Sequence, residues 1–560
     1  MQETTTGLPP ERSRSRGAAE AIKPAAAPTS AGRTGDDRRV RRAFLVALVA
    51  FFGLGAGWAL ALPVNGTYDE SEHIVRAYGV ASGQIHATAG TQRVPASLLP
   101  GGVQCQWQRR LPASCQRPAP ADHRRVAVRT GAAGYSPVYY LPVGLPMLVS
   151  PGYGGIVAGR LVSALLCALL LAAAVAIAVR LGNRLLVGGL VLVATPMVMD
   201  LAGSINPNGV EIAAGVLLWC ALLALLRPAG AGEPGAGEAS VGEVSAREPN
   251  AGEVSAREPG EVSAGQPGTR WLVVLAGVAG VLLMTVRHLG PLLLGLVLVA
   301  AALLARPGRV RALLRRRDVR WAVAALVASG LLAAAWFLTA GLSDVTPVPG
   351  RAHPYGTLTT ARLIVAVRVP FYLQQIVGQF SYGETTIPAW TVIGWYAALA
   401  TLAVPALLMA GRRYRLVMAG LAVACLGILV VLEFAFIHTA GWVAHSRYVM
   451  PAGAGLVLGA CFVRHWQAAL GPAAARRLVW LAVLVAVPVH LWALAAVMTR
   501  FQLGPGALMD PLAGVWLPAG GPVPALAAAT VGLLALAATA WLATRQPPGD
   551  VAPHVPTQAR

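Results

Sequence analysis

Apolar stretches of about 20 residues recur along this chain, and in helical form each is long enough to cross a hydrocarbon core roughly 30 Å thick. The first, "AFLVALVAFFGLGAGWALAL", follows the basic segment "RRVRR". Backbone polar groups inside a bilayer can pair only within the protein, so a chain built this way folds as helices. The pattern predicts an all-α polytopic membrane protein with about twelve transmembrane helices. They are expected near 43–63, 154–179, 185–201, 208–226, 271–286, 288–305, 321–341, 388–410, 416–437, 448–463, 478–498 and 523–543.

Composition agrees. Only 12% of residues are charged, against roughly 25% in soluble domains. The formal net charge of +21 would suggest nucleic acid in a soluble protein. Here the arginines cluster at the N-terminal end and between apolar runs, where positive charge retains a loop in the cytoplasm. No nucleic-acid partner is expected. "GRRYR", "RPGRVRALLRRRDVR" and "RHWQAALGPAAARR" are then cytoplasmic, as are both termini, in a multi-pass protein of the cell membrane. The first helix is read as uncleaved, although Ala59-Leu60-Ala61 imitates a processing site.

Between the helices the chain divides further. Residues 1–42 read as a disordered cytoplasmic tail and 544–560 as a second tail around the membrane domain, 43–543. Residues 227–270 contain the tandem repeat "GEVSAREPNAGEVSAREPGEVSAG" and read as a flexible cytoplasmic linker. Residues 64–152 and 342–387 are extracytoplasmic loops. Within the first, "YSPVYYLPVGLPMLVSPG" is apolar but short and broken by prolines, which suits a juxtamembrane helix rather than a crossing. Cys105 and Cys115 lie in the same loop, where an oxidising environment permits a disulfide.

The residues that carry chemistry sit at the outer ends of the spans. "NGTYDESEHIVRAY" places Asp69, Glu72, His73 and Arg76 on one helical face, with Glu70 in reach of His73 and a Glu72–Arg76 pair at i,i+4. A carboxylate at headgroup height can accept a proton from a hydroxyl. Asp69 and His73 also offer two ligands to a divalent metal, too few to define a site. "INPNG" provides a helix cap, with Glu211 one turn further in. "TVRHLG" brings Arg287 and His288 to an outer turn, and "AHSRYVMP" brings His445, Arg447 and Tyr448. Such cations facing a carboxylate suit a phosphate-bearing substrate. In "QQIVGQFSYGETTIP", Gln375, Gln379, Tyr382 and Glu384 are hydrogen-bonding types suited to sugars.

The order of "DESEH" after the first helix, "YSPVYYLP", "GRLVSALL", "INPNG", "QFSYGETTIP" and "SRYVMP" resembles the bacterial multi-pass family known as domain of unknown function 2142. It is similar, more distantly, to GT-C class glycosyltransferases such as protein mannosyltransferases and aminoarabinose transferases. The resemblance implies a GT-C-like fold with a large first outer loop bearing juxtamembrane helices. It implies transfer of a sugar from a polyprenyl-phosphate donor to a cell-envelope acceptor on the extracytoplasmic side. Asp69 would be the base, with Glu70 and His73 beside it, and Arg447 and Tyr448 would approach the lipid phosphate, with Arg76, Arg287, His288, His445 and Glu384 around them. Two other readings remain open, a transporter or flippase of an envelope precursor and a non-catalytic membrane scaffold.

Overall fold

Proline and glycine set the breaks between the helices. The computed structural model describes residues 30–87, 90–227, 269–341 and 352–545. The first helix, α1, runs Ser30–Ala61 and stops just before Pro63. It therefore begins inside the segment expected to be a tail. Residues 1–29, most of the linker and residues 546–560 lie outside the described residues.

The segment between α1 and α5, expected to be an outer loop, carries regular structure of its own. It holds α2 (Glu70–Ala81), α3 (Cys105–Gln108) and α4 (Pro137–Val149), with an antiparallel hairpin between α2 and α4, β1 (Thr91–Pro95) and β2 (Arg125–Arg129). Thr91 pairs with Arg129 and Pro95 with Arg125. Cys105 and Cys115 form a disulfide. Helix α4 starts on a Ser136 cap with Pro137 in its first turn. Along it Val138, Leu141, Leu145 and Val149 are exposed, the apolar outer face expected of a helix lying at the membrane boundary. Gly144 lets α4 press on α2: a Cβ there would fall 2.1 Å from the carbonyl oxygen of Ala77.

The helical body continues with α5 (Tyr153–Arg180), α6 (Arg184–Val193), α7 (Pro196–Ala202), α8 (Pro207–Leu225), α9 (Arg270–Val286), α10 (Gly290–Leu304), α11 (Pro307–Arg315) and α12 (Arg317–Ala340). After it come α13 (Thr357–Leu363), a π-helical stretch (Ile364–Arg368), α14 (Val369–Gly378) and a short hairpin of β3 (Gln379–Phe380) with β4 (Thr385–Thr386). The chain ends with α15 (Ala389–Met409), α16 (Arg412–Phe436), α17 (Met450–Ala460), α18 (Arg464–Leu503) and α19 (Pro522–Thr544).

Eight of these helices are long and apolar enough to cross a membrane, and ten if each of two bent pairs is one span. The pair α6 and α7 bends by 68°, and α10 and α11 by 120°. Each bend has a proline on its far side, Pro196 and Pro307, and proline pushes the preceding residue out of the helical region. Every stretch expected to cross is occupied by helix, but α9 and α17 are shorter than a full crossing. Helix length therefore does not fix the count at twelve. The basic segment before residue 478 is helical too; it belongs to α18, which kinks at Gly471, where φ is 62°.

Helix α8 is enclosed on nearly all sides, whereas α12, α15 and α16 carry exposed Val and Leu along their length. Inner helices approach through small residues, as packing in lipid favours. Gly53 of α1 meets Gly532 of α19 so closely that a Cβ would fall 2.8 Å from the Gly532 Cα. The first and last described helices are thus neighbours. The segment between α1 and α5 and the β3–β4 hairpin meet at one end of this bundle, where several of the residues singled out above come together.

Candidate functional site

The turn "NGTYD" between α1 and α2 is unusual backbone. Asn65 and Asp69 both have positive φ, 61° and 58°, a conformation that Asn and Asp adopt more readily than other side chains. Side chains tie the turn down from three directions. Glu70 accepts from the Asn65 amide at 3.1 Å, and the Thr67 hydroxyl donates to Asp200 at 2.7 Å. Asn206, which also caps α8, donates to the Tyr68 carbonyl at 3.0 Å. From the outer loop, Gln106 donates to the Asn65 carbonyl at 2.7 Å.

This geometry separates the two acids. Asp69 precedes the first turn of α2, so it does not share the helical face of Glu72, His73 and Arg76. Its carboxylate stays about half exposed and lies 3.3 Å from the Arg447 guanidinium. Glu70 does not reach His73. It is wholly buried in a two-pronged pair with Arg160 of α5, at 2.7 and 2.6 Å, and also accepts from the Ile205 amide at 3.2 Å. Arg160 further donates to the carbonyls of Leu62 and Pro63. Glu70 with Arg160 is therefore a clasp that fastens the turn onto α5. Arg160 stands alone in the apolar run after "YG", and an ionisable residue inside a span was the signal for it.

The rest of the acidic cluster also departs from expectation. Glu72 and Arg76 do not pair. Glu72 accepts from the Gly131 amide at 2.8 Å, and burial raises its carboxyl above the ordinary range. Arg76 donates to the carbonyls of Tyr135 and Ile85, at 2.7 and 2.9 Å. His73 hydrogen-bonds Tyr140 at 2.8 Å. Burial, helped by Arg287 and Arg447, pushes its pKa down to about 3, so the ring is neutral.

Opposite Asp69 stands the "HSRY" segment, residues 445–448. Gln375 of α14 accepts from the Ser446 amide at 2.8 Å and donates to His445 at 2.9 Å. It also donates to the Tyr68 hydroxyl at 3.3 Å. Arg447 is 1% exposed. Its guanidinium carbon lies 4.2 Å from the Tyr68 ring centre and 5.1 Å from that of Tyr448. Beyond Asp69 its Nε and Nη1 have no hydrogen-bond partner. In the same aromatic cluster, Arg287 lies 4.8 Å from the Tyr448 ring centre and 5.7 Å from that of Tyr135. It pairs with Glu211 at 3.3 Å, and Asn208 accepts from it as well. The Arg287 Nε has no partner.

Two guanidiniums thus flank Tyr448, and Asp69 opens to solvent beside one of them. Burial disfavours the charged form of the histidines here. His445 and His288 are both pushed down, chiefly by burial. His445 packs 4.6 Å from the Tyr68 ring, and His288 stacks 4.8 Å from Tyr135. Glu384 is turned away from Arg447; it accepts from the Tyr382 amide at 2.9 Å and lies 3.4 Å from Arg500. Tyr382 links this brace to the turn, since its hydroxyl accepts from the Asp69 amide at 3.1 Å and donates to Asn65 at 3.0 Å. Among the described residues no three His, Cys, Asp or Glu side chains come together as a metal site. Tyr68 and Arg160 are the site residues that sequence reasoning left out.

In fold, the chain is similar to two crystal structures of ArnT from Cupriavidus metallidurans. The form bound to undecaprenyl phosphate matches with TM-score 0.38 and 16% identity, and the apo form with 0.39 and 14%. Each match covers 92% of this chain and 77% of that one. No curated protein sequence matches the chain. Residues 52–234, which run from the last third of α1 past the end of α8 and hold both Asp69 and Arg160, match the family described as "Predicted membrane protein (DUF2142)", the family whose motifs the sequence resembles.

Proposed function

We propose that this protein is a membrane-embedded glycosyltransferase that moves a sugar from a polyprenyl-phosphate donor to a hydroxyl of a cell-envelope acceptor at the extracytoplasmic surface. One observation carries the reading: a half-exposed carboxylate, Asp69, beside a buried guanidinium, Arg447, that has two nitrogens unpartnered. A buried donor without a partner costs free energy, and a phosphate oxygen is an acceptor of the right charge and geometry.

The chemistry needs two roles. Asp69 takes the proton of the acceptor hydroxyl as its oxygen attacks the anomeric carbon. The bond from that carbon to the phosphate oxygen breaks, and its electron pair leaves with the lipid phosphate. Arg447 meets the negative charge gained there, with Arg287 beside the same Tyr448 ring as the second cation. A single base and attack opposite the leaving group invert the anomeric centre. Glu70 and His73 hold the turn and its packing rather than touch substrate.

The test is replacement of Asp69 by Asn and, separately, of Arg447 by Gln, at matched membrane levels. Loss of one sugar from an envelope glycan is the expected result in both. An unchanged glycan in Asp69→Asn would overturn the enzyme reading, and precursor trapped in the inner leaflet would instead favour a flippase.

A further inference from the structure

At the opposite end of α8 from Asn208 and Glu211, the ends of α8, α10, α16, α17 and α18 meet around a cavity of about 360 Å³. With 19 residues in α8 and 1.5 Å per residue, it lies about 28 Å from the site above. Its walls mix two kinds of surface. Leu226, Leu304, Phe462 and Val463 are apolar; Arg227, Arg413, Arg464 and His465 are basic or can become so. Among the described residues that line it, none is acidic. The hydroxyl of Tyr414, another wall residue, is buried without a hydrogen-bond partner.

Like charges are held close here. The Arg227 guanidinium is pushed down by burial and by the neighbouring Arg464. The fold thus places two mutually repelling cations in the wall of this cavity, and among the described residues that line it there is no carboxylate to offset them. An anion with an apolar tail removes that cost, because its charge meets the arginines while its chain fills the cavity. Helix ends rich in arginine are also where the sequence places the cytoplasmic boundary, and the cytoplasmic leaflet is the one that carries anionic lipid.

From this arrangement we infer a binding site for an anionic phospholipid between the ends of α8, α10, α16, α17 and α18, with Arg227 and Arg464 on the headgroup phosphate, Tyr414 donating to it, and an acyl chain between Leu226 and Phe462. The inference does not depend on the proposed glycosyltransferase reading, since none of these residues belongs to that site.

The test is native mass spectrometry of the full chain released from vesicles of phosphatidylglycerol and phosphatidylcholine in equal parts. Retention of one phosphatidylglycerol in preference to phosphatidylcholine is expected. The pair Arg227→Gln with Arg464→Gln should lower that retention at least about tenfold, as loss of charged hydrogen bonds implies, and Arg227→Lys with Arg464→Lys should restore most of it. Equal retention of the two lipids, or retention unchanged in the Gln pair, would overturn the site. If lipid is retained only after residues 231–266 are deleted, the acidic repeat that follows Arg227 is the occupant and the lipid is not. A photoactivatable phosphatidylglycerol gives a second reading on the unaltered chain: adducts at the α17–α18 junction are expected, and adducts confined to other segments would refute the inference.

Discussion

Asp69 keeps about half of its side-chain surface in solvent, whereas its neighbour Glu70 has none and holds Arg160 with both oxygens. Substitution should separate them. Asp69→Asn takes a half-exposed carboxylate from the buried Arg447 guanidinium, so the loss should lie between that of a surface pair and that of a fully buried one, and the protein should melt nearer to wild type than Glu70→Gln does. Glu70→Gln leaves a buried guanidinium without its counter-charge, a loss on the order of 3–5 kcal/mol. In detergent its melting temperature should fall by many degrees, and Glu70→Gln combined with Arg160→Met should recover part of that loss. A melt of Glu70→Gln equal to wild type would show the clasp to be dispensable. His73 gives a pH-dependent counterpart. Its folded pKa is about 3, against 6.5 for the free side chain, so in that interval the unfolded chain binds the extra proton. Stability is full above pH 6.5 and declines as the pH falls toward 3. Glu72, raised by burial, works in the opposite sense, so the His73 contribution is read as a difference. His73→Gln should show a shallower loss of melting temperature between pH 6.5 and 4 than wild type does. The sequence displayed both acids and the histidine but not their partners. Arg160 is 90 residues from Glu70, and Tyr140 is 67 from His73. Nothing local ranked Asp69 above Glu70 except the left-handed backbone, which Asp tolerates without advertising it.

Among the elements, the helices were legible and their bends less so. A run of twenty apolar residues predicts a helix, because no other structure survives in lipid. The break between α6 and α7 depends on Thr195, which caps the second helix, and on Pro196, a pair that reads from sequence as a boundary or as a kink. The outer loop was the least legible element. Its apolar content is low, and its order comes from long-range hydrogen bonds and one covalent link. The disulfide between Cys105 and Cys115 joins the two segments that supply Gln106 and Gln116. Gln106 donates to the Asn65 carbonyl at 2.7 Å and Gln116 to the Val64 carbonyl at 2.7 Å. The bridge therefore steadies the donors that shape the Asp69 turn. Replacing both cysteines by serine should cost on the order of 2–4 kcal/mol. It should also loosen the turn, so that activity falls further than the amount of folded protein does. Activity per folded molecule, measured with and without reductant on the wild-type chain, checks this. Equal specific activity would mean that the loop holds the glutamines without its disulfide.

Across the whole molecule, charge and fold separate the two ends of the bundle. The Asp69 turn, the outer loop and the β3–β4 hairpin gather at one end. At the other lie Arg180, Arg184, Arg306, Arg309, Arg412, Arg413, Arg464 and Arg545, at or next to the ends of α5, α6, α10, α11, α16, α18 and α19. A bilayer reads that asymmetry as direction, since arginine-rich short loops stay in the cytoplasm. The site should then face outward, where a lipid-linked donor and an envelope acceptor can meet. Cysteine labelling tests this cleanly, because the four free cysteines, at 167, 220, 425 and 461, are buried and should give little background. Ala121 and Gly411 are both exposed and lie at opposite ends of the molecule. Ala121→Cys should react with a membrane-impermeant maleimide on intact cells, and Gly411→Cys only after the membrane is opened. The reverse pattern would put Asp69 in the cytoplasm, beside water and nucleotide-linked sugars instead of envelope acceptors. Labelling of both positions on intact cells would mean that the helices are not all inserted. Either result would remove the ground for a lipid-phosphate donor, because Arg447 would still hold unpartnered nitrogens but would meet a different set of anions.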